Sequence, residues 1–307
     1  MSLNFIVGAT ATGKSELALD LAERINAEII NADSMQLYRG MDIGTAKLSI
    51  DERRGITHHL LDVLDVKEDA SVAWYQQRAR ELIDHLLSQG KNVVVVGGTG
   101  LYVKSILDEL EFPATDPAVR SQLLLQAEAI GGDAMHERLA KLDPAAAAAI
   151  PKENVRRVVR ALEVIELTGK PFTANLPKAG QSRYPDARQW GIVMERENLR
   201  ERIDLRVETM WQKGFVAEVQ TLIDDGITQG RTARAALGYA QIIAFLEGQM
   251  SEAEAKGETK RATRQYARRQ ETWFSRDERI TWLKRRADLD LVSQVLSSAL
   301  NTSRGNE

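Results

Sequence analysis

The chain has 307 residues, 43% hydrophobic and 28% charged, with a formal net charge of −3 at pH 7 and no cysteine. That length suits two domains or one domain with an insertion, and the missing thiols exclude disulfides, thiolate zinc sites and cysteine nucleophiles and fit a reducing compartment. No apolar run approaches the roughly 20 residues of a membrane span, and no basic segment leads into an apolar core at the start, so a cytoplasmic protein without membrane attachment is expected.

In chain order, Phe5-Ile6-Val7 is a short apolar run with β-branched residues, the pattern of a buried parallel strand. Residues 8 to 15, GATATGKS, fit G-x-x-x-x-G-K-[S/T]. At average composition the fixed positions coincide by chance in about 1% of chains of this length, so the match is specific. Leu17, Ala18, Leu21, Ala22 and Ile25 then recur at helical spacing. Strand, glycine turn and helix in this order aim backbone N–H groups at an anion, with Lys14 reaching bridging phosphates and the Ser15 hydroxyl ligating Mg²⁺.

A second strand, Glu28 to Ala32, runs into Asp33. An amphipathic helix with Val72, Tyr75, Ala79, Leu82, Ile83 and Leu86 on its apolar face is closed by Gly90 and followed by a third strand, Asn92 to Val96. Strands alternating with helices predict an α/β fold with a parallel sheet and ligands at the carboxyl ends of its strands. At Phe112-Pro113 the texture changes: Asp116 to Leu167 is helical and alanine-rich, Gly169-Lys170-Pro171 is a stop signal, and a polar segment runs to Arg188. Trp190 to Met194 reads as a strand again, so residues 113–189 are expected to be a helical insertion in a core of residues 1–112 and 190–307. The remainder is mostly helix, including one from about Ser251 to Ser275, with a late strand at Arg279 to Leu283. From Lys256 to Arg286 there are eleven basic residues against four acidic ones, in a chain that is acidic elsewhere. Such a segment suits either a polyanion or a solvated helix face.

Two features fit a nucleotide hydrolase poorly. Such proteins carry an acid at the end of a neighbouring strand to hold Mg²⁺, whereas NVVVVGGTG ends in Gly97-Gly98-Thr99, and no N-K-x-D guanine signature is present. The acid instead follows the second strand, as Asp33, where a small-molecule kinase would meet its acceptor.

The segments GATATGKS, ADSMQLYRGMDIGTAK, VVVVGGTGLYVKSIL, RRVVRALEV, ALGYAQ and ATRQYARRQETWF, in this order, resemble the bacterial tRNA dimethylallyltransferases (tRNA isopentenyltransferases) from Phe5 to about Leu283. Departures are small: Ala9 stands where that family usually has proline, and Leu237 where it usually has isoleucine. The resemblance implies a P-loop-containing parallel sheet flanked by helices, with an all-helical, tRNA-binding insertion domain. It implies transfer of a dimethylallyl group from dimethylallyl diphosphate to the exocyclic amine of the adenosine just 3′ of the anticodon, by an enzyme using Mg²⁺ and acting as a monomer. Gly8, Thr10, Ala11, Thr12, Gly13, Lys14 and Ser15 would then hold diphosphate, with Ser15 also on the metal. Asp33, Thr99 and Arg206 are the implied catalytic residues, Asp33 as the general base for a poorly nucleophilic adenine amine. Asp33, Ser34, Met35 and Gln36 would meet a base flipped out of the anticodon loop. Arg156, Arg157, Arg160, Arg234, Gly238, Tyr239, Arg264 and Arg268 would contact the rest of the tRNA anticodon stem-loop.

The arginines near residue 160 suit an ion pair with Glu163 equally well. His58-His59 tempts a metal reading, but adjacent residues on a strand face apart, so packing is expected. Trp74, Trp211 and Trp273 sit in helical patterns and are expected in core or interface. Two readings compete with the transferase: a small-molecule or nucleoside kinase using ATP at the same loop, and a non-catalytic RNA-binding protein.

Overall fold

The computed structural model describes residues 1–113, 115–175, 182–284 and 290–304. Its strands are Leu3–Val7 (β1), Ala27–Asn31 (β2), His58–His59 (β3), Asn92–Gly97 (β4), Arg188–Val193 (β5) and Ile280–Lys284 (β6), joined into one parallel sheet in the order β3-β2-β4-β1-β5-β6. Phe5, Ile6, Val93, Val94 and Val95 are wholly buried. Strands covered on both faces read as continuous apolar runs, which is why β1 and β4 show so clearly in the sequence. β1 lies between β4 and β5, in register Val7↔Gly97 and Val7↔Gly191. The chain leaves β1 for β2 by skipping the place that β4 later fills, and a parallel sheet opens a ligand crevice at such a reversal of direction.

Lys14–Ile25 (α1) lays Leu17, Ala18, Leu21 and Ala22 on Ile6, Ile29, Val94 and Trp190. Val72–Ser88 (α2) starts on Ser71, whose hydroxyl accepts from Trp74 N, and ends with Gly90 N donating to Leu87 O and Lys91 N to Leu86 O, with Gly90 at φ +79°. That bond pair is a Schellman stop, and the left-handed residue suits glycine. Gly100–Leu107 (α3) follows β4.

The chain divides into two compact units, Met1–Ile106 with Tyr184–Glu307, and Leu107–Arg183. The second unit contains Pro117–Ile130 (α4), Gly132–Leu142 (α5), Pro144–Ala149 (α6) and Val155–Thr168 (α7). Asp116, Asp143 and Asn154 cap three of these helices through side-chain oxygens, and Leu123, Met135, Leu139, Val158 and Leu162 form their shared core. An Asp108–Ser182 bridge and a bond from Arg183 N to Leu107 O (2.7 Å) close the unit. The unit therefore starts six residues ahead of the compositional break at Phe112-Pro113 and ends six ahead of Gln189.

Within it, Glu163 is fully buried and accepts from Arg120 Nη2 at 2.6 Å and Arg160 Nη1 at 2.9 Å, while Arg160 Nη2 donates to Pro113 O at 2.8 Å. Burial would raise the Glu163 carboxyl, but its bonds to the two arginines lower it overall. Arg160 is thus engaged by the unit's own buried carboxylate while 25% of its side chain stays exposed. Arg156 and Arg157 are exposed on the same helix.

The first unit resumes with Arg196–Gln212 (α8), Phe215–Asp224 (α9), Tyr239–Leu246 (α10), Glu252–Phe274 (α11) and, after β6, Leu291–Arg304 (α12). Strand β5 begins two residues earlier than Trp190 because Gln189, although polar, is buried and pairs with Phe5 and Ile280. The two-residue β3 has no sequence signal, since its histidines gain strand geometry only by pairing with Ile29 and Ile30. Among the described residues no helix is long and apolar enough to cross a membrane.

Arg160→Ala is expected to destabilise the helical unit by about 1–3 kcal/mol, because the buried carboxylate loses a partner, whereas Arg156→Ala should stay within about 0.5 kcal/mol. Urea unfolding monitored by circular dichroism tests this. The sign with pH follows from Glu163's lowered value: its contribution is present above the ordinary carboxylate pKa and fades as pH falls through the folded-state value. Equal losses for the two variants would mean that Arg160 does not support the buried Glu163.

Candidate active site at the carboxyl ends of the strands

Because β1, β2 and β4 are parallel, the loops at residues 8–13, 32–36 and 98–99 emerge at one edge of the sheet. The first winds through left-handed positions at Gly8 (φ +127°), Ala11 (+65°) and Gly13 (+97°) and enters α1 without any side-chain cap. The first N–H groups of that helix are left for an anion. Thr12 Oγ1 donates to Ala9 O at 2.9 Å and Lys14 Nζ to the same oxygen at 2.5 Å. Gln270, buried on α11, fixes the loop from outside: it accepts from Thr10 N at 2.9 Å and donates to Gly98 O at 2.8 Å. A Cβ on Gly98 would lie 2.2 Å from the Gln270 amide nitrogen, so this bridge requires glycine.

After β2, Asn31 shapes the next turn. Its side chain accepts from Asp33 N and donates to Asp33 O and Leu60 O, each at 2.9 Å. Asp33 Oδ1 accepts from Met35 N at 2.9 Å. Thr99 Oγ1 accepts from Ser34 N at 3.1 Å and lies 3.3 Å from Ser34 Oγ. From α8, Arg206 Nη1 donates to Thr10 Oγ1 at 3.3 Å. Gln36 Nε2 donates to Thr45 O at 3.1 Å.

Two cavities meet here. One of about 250 Å³ is polar, walled by Gly13, Lys14, Ser15, Gln36, Gly98 and Arg202. The other, about 320 Å³, is walled by Val207, Met210, Phe215, Leu237, Tyr239 and Tyr266, with Arg269 at its edge. Thr10, Asp33, Thr45 and Arg206 belong to both. Burial pushes the Asp33 carboxyl up, against the opposing pull of its backbone bonds and of Lys14 and Arg206. Burial, helped by the Arg206 charge and opposed by Asp33, brings Lys14 down to about 7. Arg206 is lowered too, by burial and then by Arg202. Three cations that share the polar cavity with the carboxylate of Asp33 are poised for an anion.

The remaining candidates separate by environment. Arg268 is exposed and carries no ion pair among the described residues. Arg234 is exposed and reaches Thr228 O at 3.4 Å. Arg264 is paired with Asp204 at 3.0 Å. Gly238 is the left-handed residue ahead of α10, and Tyr239 is buried, walls the larger of the two cavities and donates its hydroxyl proton to Glu218. Much of the basic segment is internally neutralised: Lys256 and Lys260 share Glu208, and Arg261 and Arg279 meet Glu258 and Asp277. Arg285 and Arg286 lie outside the described residues. His58 contacts Ile56 O and His59 meets Glu28, and no group of three metal-ligating side chains occurs among the described residues. Trp211 is partly buried and packs edge-on against Phe215, whereas Trp273 is 44% exposed over Gly100. Sequence reasoning missed Arg202, Thr45, Tyr266, Arg269 and Gln270. Only the spacing of Arg202 and Arg206, one turn apart, carried a signal.

A parallel sheet whose P-loop and second-strand acid open on one polar and one apolar chamber defines a P-loop transferase of groups carried on an anion. The chain matches the IPP transferase family model over residues 36–277 and belongs to that family. It is 56% identical over 278 residues to the tRNA dimethylallyltransferase of Streptomyces griseus, covering 91% of this chain and 88% of the relative. Against the tRNA dimethylallyltransferase of a Nocardioides species it is 50% identical, covering 98% and 96%. Among solved structures it is similar to the tRNA isopentenylpyrophosphate transferase of Bacillus halodurans, at 39% identity and a TM-score of 0.70 over 98% of this chain and 95% of that one. It is also similar to a eukaryotic dimethylallyltransferase acting on tRNA, at 26% identity and a TM-score of 0.79 over 99% and 77%.

Because ligand-free Lys14 titrates near 7, an anion seated beside it will raise that value, so at pH 8 binding of inorganic diphosphate should draw a proton onto the lysine. Calorimetry in buffers of different ionisation enthalpy measures the uptake, and Lys14→Met corrects for protons on the ligand itself. Affinity should fall as pH rises from 7. Identical proton counts in wild type and Lys14→Met would mean that Lys14 does not meet the anion.

Proposed function

We propose that this chain is a tRNA dimethylallyltransferase, which moves the dimethylallyl group from dimethylallyl diphosphate to the exocyclic amine of the adenosine 3′-adjacent to the anticodon and releases diphosphate. The observation that carries the reading is the placement of Asp33 at the junction of the two chambers. The polar chamber takes the diphosphate and the apolar one the five-carbon chain.

Breaking the allylic C–O bond puts negative charge on the departing diphosphate, so fixed donors at that end lower the barrier. Backbone N–H groups of residues 8–15 with Lys14, Thr99 and Arg206 are assigned that work, and Arg202 is added from the lining of the polar chamber. Mg²⁺ fits the oxygen donors present: Ser15 Oγ and the substrate's phosphate oxygens would hold it, since β4 ends in glycines and supplies no carboxylate, and it would neutralise charge on the leaving group. The adenine amine is a weak nucleophile because its lone pair is delocalised. Asp33, with its carboxyl raised by burial, accepts the amine proton as the N–C bond forms. The adenosine must leave its stack to arrive there, and Ser34, Met35 and Gln36 border its path. Exposed Arg156, Arg157, Arg234 and Arg268 take tRNA phosphates. The enzyme acts as a cytoplasmic monomer on this reading.

The direct test is incubation with labelled dimethylallyl diphosphate and unmodified tRNA, with label recovered in RNA; phosphate transfer from ATP to a small acceptor, or RNA binding without diphosphate release, would replace the assignment. Asp33→Asn should slow single-turnover transfer by about 10²–10⁴-fold with both substrates still bound within a few-fold of wild type. A base must be unprotonated, so the wild-type rate should rise with pH through a midpoint above the ordinary aspartate range. Near-normal transfer by Asp33→Asn would make the residue structural. Lys14→Ala should instead lose diphosphate affinity and rate together.

Replacing Arg156 and Arg157 together by alanine should lower the salt slope of tRNA binding by up to about two phosphate contacts without moving diphosphate affinity. An unchanged slope excludes both from the interface.

A further inference from the structure

The loop from Met41 to Lys47 walls both chambers: Gly44 and Thr45 line the apolar one, and Thr45 and Ala46 the polar one. It is tied to the rest of the unit by Lys47, whose ammonium donates to Tyr38 O and Asp62 Oδ1, and by Glu218 on α9. Glu218 Oε2 accepts from Ile43 N at 2.6 Å and Asp42 N at 3.2 Å, while Oε1 accepts from Gly44 N at 3.3 Å and Tyr239 Oη at 2.6 Å. Three successive backbone N–H groups converging on one carboxylate form an anion nest, and charge-assisted bonds of this kind are among the stronger ones. Phe215, one turn earlier on the same face of α9, meets the same loop. A Cβ on Gly44 would lie 2.3 Å from the Phe215 ring and 2.5 Å from Tyr239, so the loop backbone rests directly on both rings. Burial and the Glu218 charge push the Tyr239 phenol well above its usual range, so it remains a donor.

One step along the loop, the Thr45 carbonyl accepts from Gln36 Nε2 at 3.1 Å, which sets the direction of the Gln36 amide. Glu218 itself lines neither chamber.

We propose that Glu218 is a positioning residue for group transfer: by holding Asp42 to Gly44 it fixes the Thr45 carbonyl, and through it the Gln36 amide and the wall between the chambers where base and allyl group meet. This rests on the transferase reading above. Displacements of about 1 Å away from the reacting atoms can cost on the order of a hundredfold in rate, and that is the loss expected in kcat for Glu218→Ala. The KM for dimethylallyl diphosphate should stay within a few-fold, because the P-loop is untouched. Glu218→Gln retains one oxygen for Asp42 and Ile43 and an amide that donates to the Tyr239 oxygen, so it should recover much of the rate.

The experiment is steady-state kinetics of Glu218→Ala, Glu218→Gln, Gln36→Ala and the Gln36→Ala/Glu218→Ala double variant, together with hydrogen exchange of the 42–44 amides. The double variant should be little slower than the slower single one, and those amides should exchange faster in Glu218→Ala. The exchange result does not depend on catalysis, so absence of transfer by wild type would sink the transferase reading while leaving the clamp measurable. An unchanged kcat, an equal loss of kcat and diphosphate affinity, or multiplicative losses in the double variant would each overturn the proposal. If Glu218→Ala does not fold, Glu218→Gln alone decides: full activity with unaltered exchange at 42–44 rejects the role.

Discussion

The carboxyl ends of β2 and β4 approach so closely that no side chain fits between them: a Cβ on Gly97 would lie 2.2 Å from the Ala32 carbonyl carbon. Ala32 N donates to Val96 O and Thr99 N to Ala32 O, so the two chain ends are bonded across this gap. The acid that a hydrolase would place at the end of β4 is therefore displaced, and the carboxylate of this site comes from one strand over, as Asp33. That single steric fact sets the division of labour. The loop after β1 faces the anion, the loop after β2 faces the acceptor, and the β4 end contributes backbone and the Thr99 hydroxyl.

Electrostatics then gives the site its character. Lys14, Arg202 and Arg206 share one small polar chamber with Asp33, and the lowered values of Lys14 and Arg206 express the cost of crowding cations away from water. A dense anion removes that cost on arrival, and gains most as its charge grows. Preorganised donors stabilise a separating ion pair without rearranging at the moment of reaction. Asp33 remains the counterweight, and its burial keeps the carboxylate basic against the pull of the Met35 amide, Lys14 and Arg206.

Local pattern carried the parts of the molecule whose cause is local. The β1–loop–α1 unit, the Gly90 stop of α2 and the Gly169 stop are written in a few adjacent residues. The parts that escaped reading depend on partners far along the chain. Gln270 is 260 residues from Thr10, and Glu218 is 174 to 176 from the three amides it binds. Neither differs in sequence from an ordinary polar position on a helix. Arg160 shows the same limit in another way: its spacing serves a phosphate or Glu163 equally, and its pairing with the buried glutamate becomes visible only in the folded unit.

The helical unit departs after Ile106 and returns at Tyr184, ahead of the strand that covers the second edge of β1. During synthesis, β1 therefore leaves the ribosome with its β5 edge open and must wait for more than 180 residues to be made. The helical unit, drawn from one contiguous stretch of chain, is complete before then and can fold as it emerges. The sheet closes last, by pairings of long sequence separation that form slowly. The β5 edge of β1 is thus the part of the nascent sheet most in need of protection from premature association, and a truncation anywhere before residue 188 would leave that edge without its partner strand.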